Sequence, residues 1–402
     1  MLHIVKRALF VLLALSFISG ITAFALTHRG VSNVHAASTR PDATTLSVYF
    51  GSDNDKFYAL TAADGFYRWS YQYPPSGDIW SPAVVVNGVI YFEVSNSSST
   101  AVVSLRSDGS KRWIFTFPAQ TYGKSAIAVA NGAVYFAVDS NVGTSYIYAL
   151  NTKDTSGTGN GTVLWTHPAA AGKYFGNPIV ANGKLYVAQY PSVSGNPTQL
   201  VALNATDGTK VWSPPPALPA RPKTNLAESN GVIYFGDVTG SLDAFNETTK
   251  SLKWSSQVDG GPISTPTPTS GVIYYASANN FVTAVNASNG SLHWDYSVGK
   301  PFAVTVSPVL YSHVIYIGST NTNMYAINTD GSSFGAAGTL FWKTKIGTPI
   351  TTTAAVKNNI VHIGLQNGTL RTLNASFPNP GKQRWFYHSN GSIYTSSPPV
   401  VI

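Results

Sequence analysis

Tryptophan recurs at a nearly constant interval along this chain of 402 residues. Eight of its nine tryptophans follow one another at intervals of 44, 52, 47, 42, 40, 48 and 43 residues: Trp69, Trp113, Trp165, Trp212, Trp254, Trp294, Trp342 and Trp385. Residues 42–402 number 361, so eight units have about 45 residues each. That is the length of one four-stranded blade of a β-propeller. The spacing predicts an all-β chain of eight blades.

Two-residue turns mark a hairpin at the start of most units. A short apolar run ends at the turn, and a run of β-branched and aromatic residues follows it. The turns are Asn87-Gly88, Asn131-Gly132, Asn182-Gly183, Asn230-Gly231 and Ser270-Gly271. Asn-Gly is a strong hairpin signal because both central residues of a type I′ turn need a positive φ. These runs are predicted to be the first and second strands of a blade.

A second type of turn precedes the tryptophans. A third apolar run, such as YALTA or VALNA, leads to Asp64-Gly65, Asp108-Gly109, Asp207-Gly208 or Asn289-Gly290. The chain then continues into a run that contains the tryptophan, which we predict to be the fourth strand of the blade. No helical periodicity interrupts the series.

The two ends of the repeat region complement each other. The first unit starts directly with its second run, LSVYFG, and the chain finishes on Ser397-Pro398-Pro399-Val400-Val401-Ile402, which is an opening run without its sequel. Pairing the last strand with the first three would leave no exposed sheet edge at the junction. We therefore expect a closed eight-bladed propeller of four-stranded antiparallel blades.

Several units share a pattern of eleven residues from alanine to tryptophan, as in 59–69, 202–212, 244–254 and 284–294. This pattern resembles the tryptophan-docking motif of the PQQ-like (quinoprotein-dehydrogenase-type) propeller repeat, and the resemblance covers about residues 46–402. It implies that the eight repeated tryptophans pack blade against blade. It also implies similarity in class to the non-catalytic branch, which includes an envelope lipoprotein propeller that assists outer-membrane protein assembly.

The catalytic branch of this family places a bonded pair of neighbouring cysteines against the quinone and acidic residues around calcium. The chain has no cysteine, and no acidic residue matches those positions. The five histidines outside the N-terminal segment are spread along the repeats without zinc-type spacing. We therefore expect no catalytic residues, no metal and no cofactor, with PQQ and calcium retained only for the alternative of a quinone-dependent dehydrogenase.

The N-terminal segment is read separately from the repeats. Lys6 and Arg7 precede an uncharged stretch from residue 8 to residue 26, and Val34-His35-Ala36 fits an export-peptidase site. We expect residues 1–36 to be a signal peptide or an uncleaved membrane anchor, 37–45 a linker, and 46–402 one propeller. The protein is then exported, to the cell envelope or outside the cell, and contacts a membrane only through this segment if it is uncleaved.

The charge is too small to argue for a nucleic-acid partner. The whole chain carries 25 Lys+Arg against 17 Asp+Glu. Cleavage after Ala36 would remove three basic residues and no acidic one, which leaves 22 − 17 = +5. We expect a monomer that does not bind nucleic acid.

The loops that join one blade to the next are predicted to lie at the mouth of the central channel. Several combine a cation with an aromatic residue, a pairing suited to a protein partner or to a small anionic or sugar ligand. The predicted binding residues are Trp80, Tyr122, Lys124, Lys173, Tyr174, Arg221, Lys223, Lys300, Phe302 and Tyr394. The main hypothesis is an assembly platform. The alternative functions are a quinone-dependent enzyme and an extracellular carbohydrate binder. The alternative for the loops is that their residues only face solvent or pack locally and bind no ligand.

Overall fold

The computed structural model describes residues 46–402 except 75–76, 80, 97–98, 118–120, 123–124, 141–143, 154–160, 192–196, 258–263, 278, 300–303, 332–334, 392 and 394–396. These residues form only strands and turns, arranged in eight antiparallel sheets. The prediction of an eight-bladed all-β propeller is confirmed. No described segment is a helix of the length and apolarity needed to cross a bilayer.

Blades are numbered in chain order, and their strands run from the channel outwards. Blade 1 contains β33 (Val400–Val401), β1 (Ser47–Gly51), β2 (Lys56–Thr61) and β3 (Tyr67–Gln72). Blade 2 contains β4 (Val84–Val86), β5 (Val89–Ser95), β6 (Thr100–Arg106) and β7 (Lys111–Thr116). Blade 3 contains β9 (Ala128–Ala130), β10 (Ala133–Ser140), β11 (Tyr146–Asn151) and β12 (Val163–Pro168), with β8 (Thr121–Tyr122) added to β10. Blade 4 contains β14 (Ile179–Ala181), β15 (Lys184–Pro191) and β16 (Gln199–Asn204), with β13 (Lys173–Phe175) added to β15.

The second half of the ring is more regular. Blade 5 contains β17 (Ala227–Ser229), β18 (Val232–Gly236), β19 (Ser241–Asn246) and β20 (Ser251–Gln257). Blade 6 contains β21 (Thr267–Pro268), β22 (Val272–Ala276), β23 (Phe281–Asn286) and β24 (Leu292–Ser297). Blade 7 contains β25 (Val309–Tyr311), β26 (Val314–Gly318), β27 (Asn323–Asn328) and β28 (Leu340–Lys345). Blade 8 contains β29 (Ala355–Lys357), β30 (Ile360–Gly364), β31 (Thr369–Asn374) and β32 (Gln383–His388).

The ring closes through the last strand of the chain. Val400 pairs with Tyr49, and Val401 pairs with Val48. Ser47 and Ile402 exchange two main-chain hydrogen bonds of 2.9 and 3.0 Å. The predicted closure is confirmed, and the inner edge of β1 is paired from Ser47 to Tyr49.

The Asn-Gly turns adopt the predicted conformation, since both residues of all four have a positive φ, for example 49° at Asn87 and 74° at Gly88. The Ser270-Gly271 turn does not, because neither of its residues has a positive φ. There the Thr269 side chain closes the turn: its hydroxyl accepts from Val272 N at 3.1 Å and donates to Val272 O at 2.7 Å.

Blade 4 departs from the predicted pattern. Trp212 does not lie in a fourth strand, whereas the other seven repeated tryptophans do. Residues 214–216 are three consecutive prolines, which have no N–H to donate to a sheet ladder. An irregular segment covers the edge of β16 instead, with Leu200 N donating to Pro216 O at 2.9 Å and Val211 N donating to Ala202 O at 2.8 Å.

Each repeated tryptophan has an aromatic partner on the second strand of its own blade. The ring centroids lie 5.5–6.0 Å apart in every blade, for example 5.5 Å for Tyr186 and Trp212 and 6.0 Å for Tyr234 and Trp254. The partner is tyrosine in seven blades and His362 in blade 8, where the separation from Trp385 is 5.8 Å. These pairs lie at the seams between blades.

Across seven of the eight seams, the indole meets a glycine in the turn that precedes the fourth strand of the next blade. A Cβ atom added to Gly109 would lie 2.6 Å from Trp69 Cδ2, and one added to Gly65 would lie 2.5 Å from Trp385 Cε3. Indole N–H groups also donate to carbonyls of the next blade, from Trp69 to Ser107 O at 2.9 Å and from Trp342 to Ala375 O at 2.8 Å. Only glycine allows the indole to approach this closely.

Candidate functional site

A polar cavity of about 390 Å³ lies where the inner ends of the blades converge. Each blade contributes the residues just before its innermost strand. Most of these residues are small and carry a hydroxyl or an amide: Ser81, Ser125, Asn177, Thr224, Asn225, Ser264, Thr265, Thr305, Ser307, Thr351 and Thr353. The cavity therefore offers many neutral hydrogen-bonding groups.

A repeated hydrogen bond explains why hydroxyl side chains occupy these places. Ser81 Oγ accepts from Glu93 N at 2.9 Å, Ser125 Oγ from Ala137 N at 3.0 Å, and Ser264 Oγ from Ala276 N at 2.8 Å. In each case, the acceptor lies twelve residues before the donor. Each hydroxyl thus holds the fifth residue of the second strand, so this part of the lining has a structural role.

Amide side chains link neighbouring blades around the same cavity. Asn177 Oδ1 accepts from Ala126 N at 3.0 Å, and Asn177 Nδ2 donates to Asn225 Oδ1. These contacts join three successive blades at their inner ends. They hold the lining groups in a fixed arrangement, which lowers the entropic cost of binding a ligand.

Lys223 is the only charged residue among the described residues that line the cavity. It was predicted from the sequence as a rim residue, and its side chain is exposed. Its main-chain N–H donates to Gly236 O at 2.8 Å, which fixes this loop to β18. The cavity is thus polar and positive at one side.

The structure describes only part of the predicted rim. Trp80, Lys124, Lys300, Phe302 and Tyr394 lie outside the described residues, and for Tyr122 only the backbone position in β8 is described. Tyr122, Lys173 and Tyr174 were expected in open loops. They lie instead in β8 and β13, because β10 and β15 extend to eight residues and hydrogen-bond to them.

Tyr174 and Arg221 are brought together by a residue that the sequence analysis missed. Tyr190 pairs with Tyr174 across β13 and β15, with their ring centroids 6.3 Å apart. The Arg221 guanidinium carbon lies 4.5 Å from the centroid of the Tyr190 ring. We call Tyr174, Tyr190 and Arg221 the Tyr190 surface. Burial, and then the charge of Asp139, raise the pKa of the Tyr190 hydroxyl, so this phenol stays neutral.

Lys173 lies beside this surface but is directed away from it. Its Nζ donates to Gln199 Oε1 at 2.6 Å. Arg221 is exposed, and its carbonyl accepts from Val238 N at 3.0 Å. The backbone of Arg221 is therefore held while its guanidinium stacks on Tyr190. A guanidinium on an aromatic face is suited to binding a carboxylate or an aromatic group of a partner.

The cavity does not fit the calcium and quinone group of the catalytic family branch. Calcium takes oxygen ligands that usually include carboxylates. No Asp or Glu is among the described lining residues. In the part of the chain that the structure describes, no group of three or more His, Asp or Glu side chains is placed to hold a metal ion.

Comparison with known proteins agrees with the fold. The family model described as outer membrane protein assembly factor BamB matches residues 155–227 and 220–335. No curated protein sequence matches the chain.

Solved structures of similar fold come from different organisms. BamB from Moraxella catarrhalis has a TM-score of 0.60 and 16% identity, over 84% of this chain and 94% of that one. Apo AztD from Citrobacter koseri has a TM-score of 0.62 and 12% identity, over 89% and 98%. Sqt1 from Saccharomyces cerevisiae has a TM-score of 0.61 and 10% identity, over 79% and 87%. The repeats and the closed ring identify the chain as an eight-bladed propeller, and residues 155–335 of it match the PQQ-like repeat model of BamB.

Proposed function

We propose that this protein is an exported, non-catalytic scaffold that binds a protein partner through the Tyr190 surface. The observation that carries the proposal is the stacking of Arg221 on Tyr190 beside Tyr174. Tyrosine and arginine are the residues most enriched where protein interfaces gain their binding energy. The similarity to an outer membrane protein assembly factor supports a role in binding other proteins.

The contact would be pre-organised. A hydrogen bond from Val238, two residues after β18, holds the backbone of Arg221, and pairing with β15 holds that of Tyr174. Little conformational freedom is therefore lost on binding. A partner segment with a carboxylate near an aromatic or proline residue fits this surface best. The proposal needs no cofactor and no catalytic residue.

The test compares partner capture by three forms of the full chain. Wild type, a Tyr190→Ala/Arg221→Ala variant, and a Lys357→Ala variant on the opposite face are cross-linked in the envelope and culture medium of the native host and then purified. We expect one partner that wild type and Lys357→Ala retain and that the double variant loses. Identical partner sets for all three would contradict the proposal.

The axial cavity supports a second candidate function, the binding of a small oxygen-rich ligand such as a sugar or a sugar acid. The supporting observation is its neutral hydroxyl and amide lining with Lys223 at one side. Calorimetric titration of wild type and Lys223→Met with neutral and acidic sugars tests this function. A ligand that binds both forms equally is neutral or binds elsewhere, and no binding at all would reject the candidate.

The dehydrogenase alternative has a direct test of its own. PQQ and calcium are added to the purified protein, and absorbance and dye reduction with alcohols or sugars are followed. We expect no change, because the cavity lining has the wrong donors for that group. A substrate-dependent reduction of the dye would overturn the non-catalytic proposal.

We also propose that residues 1–36 direct export, as a cleaved signal or as a retained anchor. The sequence Val34-His35-Ala36 supports cleavage, and the uncharged stretch 8–26 supports either outcome. The N-terminal mass of the protein from its host separates the two. An intact chain found in the cytoplasm would contradict both.

A further inference from the structure

One face of the propeller carries a ring of exposed apolar residues. In each blade, the turn between the third and fourth strands lies on this face, which we call the entry face. The residues two positions before the repeated tryptophans follow those turns. They are apolar or aromatic in five blades, with exposed fractions of 41% at Tyr67, 44% at Val163, 39% at Leu252, 61% at Leu292 and 40% at Leu340.

Neighbouring positions extend the ring. Leu164 and Val211, one position before their tryptophans, are 48% and 39% exposed. Phe377 in the blade 8 turn is 65% exposed, and its ring lies 5.7 Å from that of Phe341 in blade 7. Single exposed apolar residues are normal on a soluble protein, but a set that recurs at one level around a disc forms a surface.

Basic residues alternate with these apolar side chains. Among the sixteen residues one or two positions before the tryptophans, six are lysine or arginine and none is acidic. Arg68, Arg112, Lys253 and Arg384 hold the position next to the indole. In the strand pairing, that position is the extra residue of a β-bulge: Lys253 lies between Leu252, which pairs with Phe245, and Trp254, which pairs with Ala244. The bulge takes the residue out of the regular ladder.

Three acidic residues of the entry face are engaged within their own turns, whereas Glu247 lies 3.6 Å from Lys184 and Asp330 lies 2.6 Å from His313. Asp108 Oδ1 accepts from Ser110 N at 2.9 Å, and Asp207 Oδ1 accepts from Thr209 N at 2.9 Å. Asp64 is bonded to the Thr61 hydroxyl. The exposed basic residues beside these turns place positive charge among the apolar groups of the outer ring: Lys111, Lys210, Lys253 and Arg384.

The chain reaches the propeller at this same face. Leu46 O accepts from Ala62 N at 2.9 Å, directly before the Asp64-Gly65 turn of blade 1. The preceding sequence contains the uncharged stretch from residue 8 to residue 26. If that stretch is kept in a bilayer, it holds the propeller at high local concentration near the lipid, with the linker attached on the entry face.

We propose that the entry face binds the surface of a membrane that contains anionic lipid. Exposed leucine, phenylalanine and tyrosine would insert among the headgroups, and lysine and arginine would pair with lipid phosphates. This contact is additional to the N-terminal segment, and it leaves the Tyr190 surface on the opposite face free for a partner. The proposal does not depend on that partner.

The absence of cysteine from the chain allows a site-specific test. Leu292→Cys on the entry face and Val238→Cys on the opposite face, where Val238 is 57% exposed, are each labelled in the full chain with an environment-sensitive dye. Vesicles of phosphatidylglycerol and phosphatidylcholine are then added. Both forms keep the N-terminal segment, and vesicles of phosphatidylcholine alone measure the response that insertion of this segment causes without anionic lipid.

We expect the emission of the Leu292→Cys label to rise and shift to the blue, and that of the Val238→Cys label to stay unchanged. High salt weakens the response. A Lys253→Gln change in the Leu292→Cys background raises the lipid concentration at half response about fivefold, which corresponds to about 1 kcal/mol per basic residue. A silent label at position 292, equal responses at both positions, or the same response with phosphatidylcholine alone would overturn the proposal.

Discussion

His362 Nε2 lies 3.1 Å from the carbonyl oxygen of Ala62, at the seam where blade 8 meets blade 1. In other blades, tyrosine makes the equivalent contact, as from Tyr135 to Ala205 O at 2.8 Å and from Tyr316 to Ala375 O at 3.1 Å. The seam that closes the ring therefore contains an imidazole where the other seven contain a phenol. This replacement is expected to make the closing seam sensitive to acid.

The buried position of His362 predicts that the folded protein loses stability in acid. Burial lowers its pKa to about 4, the nearby Arg384 charge acts in the same direction, and the contact with Ala62 O opposes them. An unfolded histidine has a pKa near 6.5, so the unfolded state takes up the proton first as the pH falls. The resulting loss in the free energy of unfolding is absent above about pH 6.5 and grows to roughly 3 kcal/mol near pH 4.

We expect His362→Tyr to remove this loss. Urea unfolding of wild type and variant at neutral pH and at about pH 4.5 measures the change, and the difference between the two proteins isolates it from carboxylate titration. His313→Tyr is the control, since His313 is exposed and bonded to Asp330. Equal acid sensitivity of wild type and His362→Tyr would contradict this account.

The buried carboxyl group of Asp243 is expected to give the free energy of unfolding the opposite dependence on pH. Its side chain is fully buried, burial raises its pKa to about 6, Asp237 adds to the rise, and the hydroxyl of Ser255 opposes it. Because the folded state holds this proton more tightly than the unfolded state, the raised pKa stabilises the fold fully at a pH below the unfolded pKa of about 3.9. This stabilisation is lost as the pH rises through about 6. Asp243→Asn is expected to gain up to roughly 3 kcal/mol at neutral pH and little near pH 4.

Asp237→Asn is the matched comparison for that experiment. Asp237 is also buried, but its Oδ1 accepts from Thr239 N at 2.8 Å and from Ser241 N at 2.9 Å. Replacing this carboxylate weakens charge-assisted hydrogen bonds, so the variant is expected to lose stability. The same effect from both changes would show that burial does not explain the behaviour of Asp243.

We propose that the repeated tryptophans dock each blade on the next, and two glycines test this. Gly109 and Gly88 both have a positive φ, 84° and 74°, so alanine strains either backbone by about 1 kcal/mol. Only Gly109 faces an indole, that of Trp69, whereas Gly88 has open space. Gly109→Ala is expected to cost about 1–3 kcal/mol more than Gly88→Ala. Equal losses in chemical unfolding would reject the docking role.

Trp113 provides a second measure of the same role. Its side chain is fully buried and pairs with the Tyr91 ring at 5.9 Å. Trp113→Ala is expected to lower the free energy of unfolding by about 3–5 kcal/mol, which is the usual cost of removing a large buried aromatic group. A loss below about 1 kcal/mol would show that this seam does not need its indole.

The repeat and the closure were predictable because their signals are local. The Asn87-Gly88 dipeptide by itself indicates a type I′ turn. The two terminal runs complement each other and so indicate that they belong to one blade. The Ser312-His313 and Asn358-Asn359 turns adopt the same positive φ without glycine, and such pairs give no equally strong signal. Trp212 was misplaced because repeat spacing alone does not show where prolines interrupt a strand.

The candidate site was less predictable because its contacts are not local. Tyr190 meets Tyr174 only because β15 extends beyond its usual length, and Arg221 reaches Tyr190 from another loop. The tyrosines that partner the tryptophans recur in every unit but blade 8, and that period could have revealed His362. The hydroxyl ring of the cavity also repeats, and its twelve-residue offset becomes meaningful only once the strands are placed.

The closed ring itself is tested most directly by removing the last strand. The full chain and a chain lacking residues 397–402 are compared by thermal unfolding, with Ile402→Ser as a control that keeps β33. The account predicts a sharply lower melting temperature for the truncated chain, because β1 loses its partner and the seam between blades 8 and 1 opens. An unchanged melting temperature would show that the pairing of Tyr49 with Val400 does not hold the propeller together.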